Sequence, residues 1–215
     1  MIVRPKVEQY AERHSSPEPP WLAELAAETR AATVEPRMMV GPLEGALLAA
    51  IVYMVRPRTV LEIGTFTGYS ALCMASALPP GGRIISCELD DGHADIAERH
   101  IAKSPWADAI EVRRGPALET LRGLPGPFDL VFIDADKTGY GGYLDAVLPK
   151  LDPRGVVAVD NVLQFGGVVN EHDTSPDAVA LRAFNERVRN DPRVEQVVLT
   201  VREGLTLIRH AAGAA

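Results

Sequence analysis

Val60-Leu61-Glu62-Ile63-Gly64-Thr65-Phe66-Thr67-Gly68-Tyr69-Ser70 reads as a buried strand, a glycine loop and a helix start. Such a unit brings backbone N–H groups close to a small ligand, and Gly64 and Gly68 lack the Cβ atoms that would block the approach. Glu62 stands at the strand exit, where a carboxylate suits a cationic or hydroxyl-bearing ligand better than a phosphate. Downstream of this unit, short β-rich runs alternate with helical patterns. The expected strands are 59–63, 83–88, 109–113, 128–133 and 155–160, with helices near 68–77, 91–103, 116–121 and 140–148. This alternation predicts a doubly wound α/β fold, a mostly parallel sheet covered by helices on both faces. Leu130-Val131-Phe132-Ile133 and Val156-Val157-Ala158-Val159 are apolar throughout, as strands buried on both faces must be.

Before this region, residues 1–40 form a Pro-punctuated segment, helical in pieces, with a helix over Trp21 to Arg30 opened by Pro17-Glu18-Pro19-Pro20. Leu43, Leu47, Leu48, Ile51, Val52 and Val55 recur at helical spacing, and Arg56-Pro57-Arg58 ends that helix. After residue 160 come a Gly/Val loop at 165–170, a helix over 176–190, and a hairpin of Val194 to Arg202 and Leu205 to Arg209 about Glu203-Gly204. The sheet is therefore expected to have seven strands and to end antiparallel.

The 215 residues carry a net charge of −7, which repels phosphate backbones and argues against nucleic acid as a partner. Cys73 and Cys87 sit in apolar stretches and form no C-x-x-C pair, so both read as small buried hydrophobes. No apolar run in the sequence approaches the ~20 residues of a membrane span, and no secretory signal is evident, so the expected setting is cytoplasmic. The five histidines show no ligand spacing.

Four acids fall at expected strand ends: Glu62, Glu88, Asp134 and Asp160. In an open parallel sheet, ligands bind outside those ends. An acid such as Glu88, ending the second strand, typically accepts from ribose hydroxyls, in adenosyl and nicotinamide cofactors alike. The spacing Gly64-x-x-x-Gly68 is not the G-x-G-x-x-G of dinucleotide sites, which disfavours an NAD-dependent oxidoreductase. Neighbouring strand ends lie roughly 5 Å apart, so Asp134 and Asp160 repel each other unless a proton or cation lies between them. Asn161 adds a neutral oxygen, and the set suits Mg²⁺, with Ca²⁺ or Mn²⁺ as alternatives. Lys137, three residues after Asp134, is placed to act as a base.

These residues resemble the class I S-adenosylmethionine-dependent O-methyltransferases, in the metal-dependent branch of catechol and caffeoyl-CoA O-methyltransferases. The matching motifs are Met38-Met39-Val40-Gly41-Pro42-Leu43-Glu44-Gly45, Leu61 to Ser70, Phe132-Ile133-Asp134-Ala135-Asp136-Lys137 and Asp160-Asn161-Val162-Leu163. The resemblance implies a Rossmann-like methyltransferase fold, with a catalytic domain over 41–215 and residues 1–40 as an acceptor-site cap or dimer contact. It implies cofactor contacts from Val40, Glu62, Gly64, Thr65, Ser70, Glu88, Ala117 and Asp134. It implies metal ligands Asp134, Asp160 and Asn161, with Lys137 as general base. Pro116 after Gly115 departs from the family pattern at the adenine rim. The implied reaction is methyl transfer from S-adenosylmethionine to a hydroxyl of a catechol-like small molecule, by a homodimer with neither nucleic acid nor membrane as partner. A non-catalytic S-adenosylmethionine-binding partner protein is the remaining alternative.

Overall fold

A computed structural model describes residues 2–213. The chain forms α1 (Pro5–Arg13), α2 (Pro20–Ala32), α3 (Gly41–Val55), β1 (Thr59–Ile63), α4 (Tyr69–Ala75), β2 (Arg83–Glu88), α5 (Asp91–Lys103) and β3 (Ile110–Arg114). It continues with α6 (Ala117–Gly123), β4 (Phe128–Ile133), α7 (Tyr140–Val147), β5 (Leu151–Val159), α8 (Pro176–Asn190), β6 (Val194–Leu199) and β7 (Leu205–His210). The seven strands form one sheet in the order β3-β2-β1-β4-β5-β7-β6. The first five are parallel, and β7 runs antiparallel to both β5 and β6. The expected fold class is therefore present, with its switch point between β1 and β4.

Two apolar layers cover the sheet. Val60, Ile84, Leu130, Phe132 and Ala158 face one layer, built with α2 to α5. Leu61, Ile85, Val131, Ile133, Val157 and Val159 face the other, built with α6 to α8. Alternate residues of each central strand are thus buried on opposite faces, which is why these strands read as unbroken apolar runs. Full burial of each such side chain stabilises the fold by about 1.5–3 kcal/mol. Cys73 and Cys87 are free and buried within these layers, and burial pushes the Cys87 thiol up to about 11.

The N-terminal segment joins the same core. Leu22, Leu25 and Ala26 of α2 are buried with residues of α3 to α5. Polar contacts add to this: Thr29 Oγ1 lies 2.8 Å from Thr67 Oγ1, Tyr69 donates to Glu18 at 2.6 Å, and Glu28 receives Arg99 at 2.5 Å and His100 at 2.8 Å. The segment therefore braces the glycine loop from outside.

Several bounds differ from expectation, each for a local reason. β5 begins at Leu151, earlier than 155, because Pro153 lies where β7 does not pair and where the register with β4 is interrupted between Phe128 and Leu130, so its missing N–H costs no ladder bond. β6 stops at Leu199 because the turn to β7 places Arg202 at φ 45° and Gly204 at φ 94°, both outside strand geometry. The 165–170 loop is a 3₁₀ segment, Gln164–Val169, kinked by left-handed Phe165 and Gly166. The expectation of no membrane-length apolar element also changes. The 3₁₀ turn Pro36–Met38 and α3 follow one another as a 20-residue stretch, Pro36–Val55, long and apolar enough by length and composition. Arg37 and Glu44 interrupt the run in sequence, and here Leu48, Ile51 and Val52 of this stretch pack into the core.

Gly64 shows how tightly the switch point is built. Its φ is 102°, and a Cβ there would run into the Asp134 carbonyl. Gly115, at φ 111°, has nothing within 4 Å of the same position. Gly64→Ala should therefore destabilise the protein by about 2–5 kcal/mol, combining backbone strain with overpacking. Gly115→Ala should lose the strain contribution alone. Equal shifts of the two variants in a denaturant titration would contradict this packing.

Candidate active site

The ends of β1, β2, β4 and β5 open into a cavity of about 790 Å³, within the range of small-molecule sites. Backbone bonds hold its floor together. Asp134 N–H donates to Ile63 O and Asp160 N–H to Ile133 O, each at 2.9 Å, so the strand ends continue in register past their last residues. Gly64 and Thr65 N–H both donate to Cys87 O, at 3.0 and 3.1 Å, which folds the glycine loop over the end of β2.

One half of the cavity is formed by this loop and its surroundings. Glu88 receives Phe66 N–H at 2.6 Å on one carboxylate oxygen and Asp90 N–H at 2.9 Å on the other. Two backbone donors thus fix the carboxylate, and each oxygen keeps a lone pair for a ligand hydroxyl. Val40, Gly64, Thr65, Ser70 and Ala117 also line the cavity. Glu62 does not. It stands behind the wall, fully buried, in a chain of contacts in which Thr65 meets Ser86 at 2.5 Å and Ser86 donates to Glu62 Oε2. Its Oε1 has no partner among the described residues. Burial pushes the Glu62 carboxyl up to about 8, against the lowering effect of Ser70 and Ser86. A cationic group in the cavity would reverse that shift.

The other half collects the acids of β4 and β5. Lys137 Nζ donates to Asp134 Oδ1 at 2.9 Å, to Asn161 Oδ1 at 2.5 Å and to Tyr140 OH at 2.8 Å. Tyr140 in turn donates to the Asp160 carbonyl at 2.9 Å. Asn161 adopts φ 58°, a conformation Asn tolerates, and its Nδ2 donates to Asp160 Oδ2 at 2.7 Å. Asp160 Oδ1 is buried with no partner among the described residues. Burial first, and Asp134 second, push the Asp160 carboxyl up to about 7. Glu44, buried on α3, is pushed up to about 10 by burial and by Asp160.

The structure thus brings Asp134, Lys137, Asp160 and Asn161 together. Among the described residues no three His, Cys, Asp or Glu side chains already converge as metal ligands. Asn161 oxygen would have to supply the third protein donor, and it faces Lys137. The donor set still fits a hard divalent cation. Among the described residues, the buried or half-buried carboxylates Asp134 and Glu44 are paired only with Lys137 and Arg202, and one oxygen of buried Asp160 has no partner.

Ser86, Tyr140, Glu44 and the turn residues Arg202 and Glu203 were not among the expected site residues. Ser86 is a polar residue inside the apolar run Ile84-Ile85-Ser86-Cys87, and Glu44 is an acid in an apolar helix. Such breaks in pattern mark buried polar groups with a partner or a task. Arg202 and Glu203 leave no comparable trace, because their place depends on how the hairpin folds back.

The profile of the O-methyltransferase family matches residues 12–211. A catechol O-methyltransferase of Mycobacterium tuberculosis is 36% identical over 91% of this chain and 88% of its own. A catechol O-methyltransferase of Niastella koreensis is 34% identical over 76% of each chain. The O-methyltransferase of Bacillus cereus, solved in complex with SAH, superposes with a TM-score of 0.88 at 33% identity over 96% of this chain and 97% of its own. The SAM complex of an O-methyltransferase of Streptomyces achromogenes involved in tomaymycin synthesis gives a TM-score of 0.87 at 31% identity, covering 96% of both chains.

The raised Glu62 pKa has a consequence for stability. An acid with a folded pKa above its unfolded value binds more protons when folded, so its contribution is lost as pH rises between the two. With no ligand present, Glu62→Gln should gain stability relative to the parent from about pH 4.5 to about 8. Thermal melts of the pair across that range read this directly, and a constant difference would remove Glu62 burial as a source of pH dependence.

Proposed function

The chain belongs to the O-methyltransferase family, and on that premise we propose that it transfers a methyl group from S-adenosylmethionine to one hydroxyl of a vicinal dihydroxy aromatic, with a divalent cation in the site. The observation that carries this reading is the sharing of one cavity. Glu88 and the glycine loop line one side, and Asp134, Lys137, Asp160 and Asn161 line the other. Catechol O-methyltransferases and SAM- or SAH-bound enzymes among its relatives support it.

In this reading, Glu88 accepts from the ribose hydroxyls, with both its oxygens already oriented by backbone N–H groups. Ser70 and the Val40 backbone hold the methionine carboxylate. Burial holds Glu62 protonated in the absence of ligand. An ammonium arriving beyond Gly64 and Ser70 would favour its ionised form and then be attracted by it, and Asp134 supplies a nearer charge. Gly64 and Thr65 pass beside the cofactor, and Ala117 borders the adenine, next to Pro116 and Gly115. Asp134, Asp160 and Asn161 would hold the cation, for which Mg²⁺ is the first choice and Ca²⁺ or Mn²⁺ the alternatives. When bound, S-adenosylmethionine supplies an electrophilic methyl group, and the divalent cation acidifies the hydroxyls it touches.

The remaining work falls to the protein's own groups. Lys137 Nζ sits among the oxygens that would surround the acceptor hydroxyl. Its three donors are engaged here, so it takes the hydroxyl proton in its neutral form, after releasing one of its own protons to solvent. Tyr140 OH holds Lys137 from behind while pinning the end of β5. Glu35, Arg37, Met38, Met39, Arg202 and Glu203 also line the cavity, and in this reading they wall the acceptor and limit water. Much of the acceleration comes from holding both reactants in line at this junction.

Chelation with EDTA should abolish turnover, and Mg²⁺ should restore it. Full activity in excess EDTA, with no metal bound to the protein, would remove the cation from the scheme. Lys137→Ala should lower kcat by about 10²–10⁴-fold, the usual contribution of a positioned base. The defect should shrink with acceptors whose hydroxyls are more acidic. A near-parental kcat across such a series, with chemistry rate-limiting, would assign the proton to another group.

A further inference from the structure

Between β5 and α8 the backbone is strained. Asn161, Gln164 and Phe165 adopt φ 58°, 40° and 52°, and Gly166 follows at 89°. Non-glycine residues keep such conformations only where the surroundings hold them, and they concentrate at functional sites. Two sets of contacts hold this loop. The β6–β7 turn supplies one: Val162 N–H donates to Gly204 O at 3.0 Å and Leu163 N–H to Glu203 O at 2.9 Å. Helix α8 supplies the other. The Arg182 guanidinium donates to three loop carbonyls, those of Gly167 at 3.3 Å, Asn170 at 3.2 Å and Asp173 at 2.6 Å. One turn further on, Asn185 Nδ2 donates to Val162 O at 2.8 Å.

The side chain that this frame presents to the cavity is Phe165. It lines the wall and is 62% exposed. A large apolar ring in a strained backbone conformation, with most of its surface open to water, contributes little to folding. It gains when another aromatic surface covers it. Arg182 itself stands outside the cavity, yet its planar fork of donors meets three carbonyls at once, which a lysine ammonium on a flexible stem does not match. We propose that Arg182 is a positioning residue that, through these carbonyls, keeps Phe165 against the acceptor ring. Acceptor affinity is then set in part from a helix behind the loop. The inference rests on the acceptor reading given above, in which the aromatic ring occupies this cavity.

Steady-state transfer from labelled S-adenosylmethionine to catechol, with Mg²⁺, tests it by separating KM from kcat. Arg182→Met keeps the side-chain length and removes the donors. It should raise the catechol KM by about 5–20-fold, the scale of one or two hydrogen bonds withdrawn from a bound geometry. Both kcat and S-adenosylhomocysteine affinity by calorimetry should stay within about twofold, since a contact equally present before and during the reaction affects KM alone. Phe165→Ala should raise KM likewise. The double variant should be no worse than Phe165→Ala, because the two residues act as one unit. Arg182→Lys should fall between the parent and Arg182→Met. A lowered melting temperature in Arg182→Met with a parental KM would reduce Arg182 to a support of the fold and overturn the proposal, as would full additivity of the two substitutions. If Arg182→Met does not fold, Phe165→Ala and Arg182→Lys carry the test, and a parental KM in either overturns the proposal. In all these cases the parent turns catechol over and the functional reading stands. Failure of the parent to methylate catechol would overturn both.

Discussion

The backbone contact between Gly64 and the Asp134 carbonyl is the constraint on which the site depends. It lies at the sheet's switch point, where β1 and β4 are neighbours and their connections leave in opposite directions. Because no Cβ intervenes, the glycine loop and the acidic end of β4 share one wall. The groups proposed to hold the cofactor and those proposed to hold the acceptor therefore line a single cavity instead of two. The N–H of Asp134 and that of Asp160 extend the same ladder one residue beyond each strand, tying three strand ends together.

Electrostatics on this frame are unbalanced in a consistent direction. Glu62, Glu44 and Asp160 are all held above the ordinary carboxylate range, with burial the leading cause in each case. Lys137 and Arg202 offset part of the negative charge. In the proposed reading, a cation on one side of the cavity and an ammonium on the other would favour the ionised forms of these carboxyls. The N-terminal helices enter the same balance indirectly, since Thr29 and Glu18 reach the glycine loop and the start of α4.

Most of the fold was legible in the sequence because its signals are local. Apolar runs, the glycine loop and proline stops fixed β1, β2, β4, α5 and α8 to within a residue or so of where they lie. The acids at strand ends were legible for the same reason, as Asp134 and Asp160 directly follow apolar strands. What escaped was set by packing between distant segments. β5 extends past Pro153 because of what β7 leaves unpaired. Glu62 and Glu88 both lie at the ends of apolar strands, yet only the structure shows that Glu62 stands behind Ser86 while Glu88 lines the cavity. Arg202 meets Glu44 only because a left-handed turn at the far end of the chain folds back over α3.

The central claim is that one cavity holds the methyl donor and an acceptor gripped through two adjacent hydroxyls. The most direct measurement is methyl transfer from labelled S-adenosylmethionine, with Mg²⁺, to catechol and to phenol side by side. The account predicts transfer to the vicinal diol and at least about 100-fold less to the monohydroxy ring, which loses one of the two oxygens that orient it. Comparable transfer to both would contradict it.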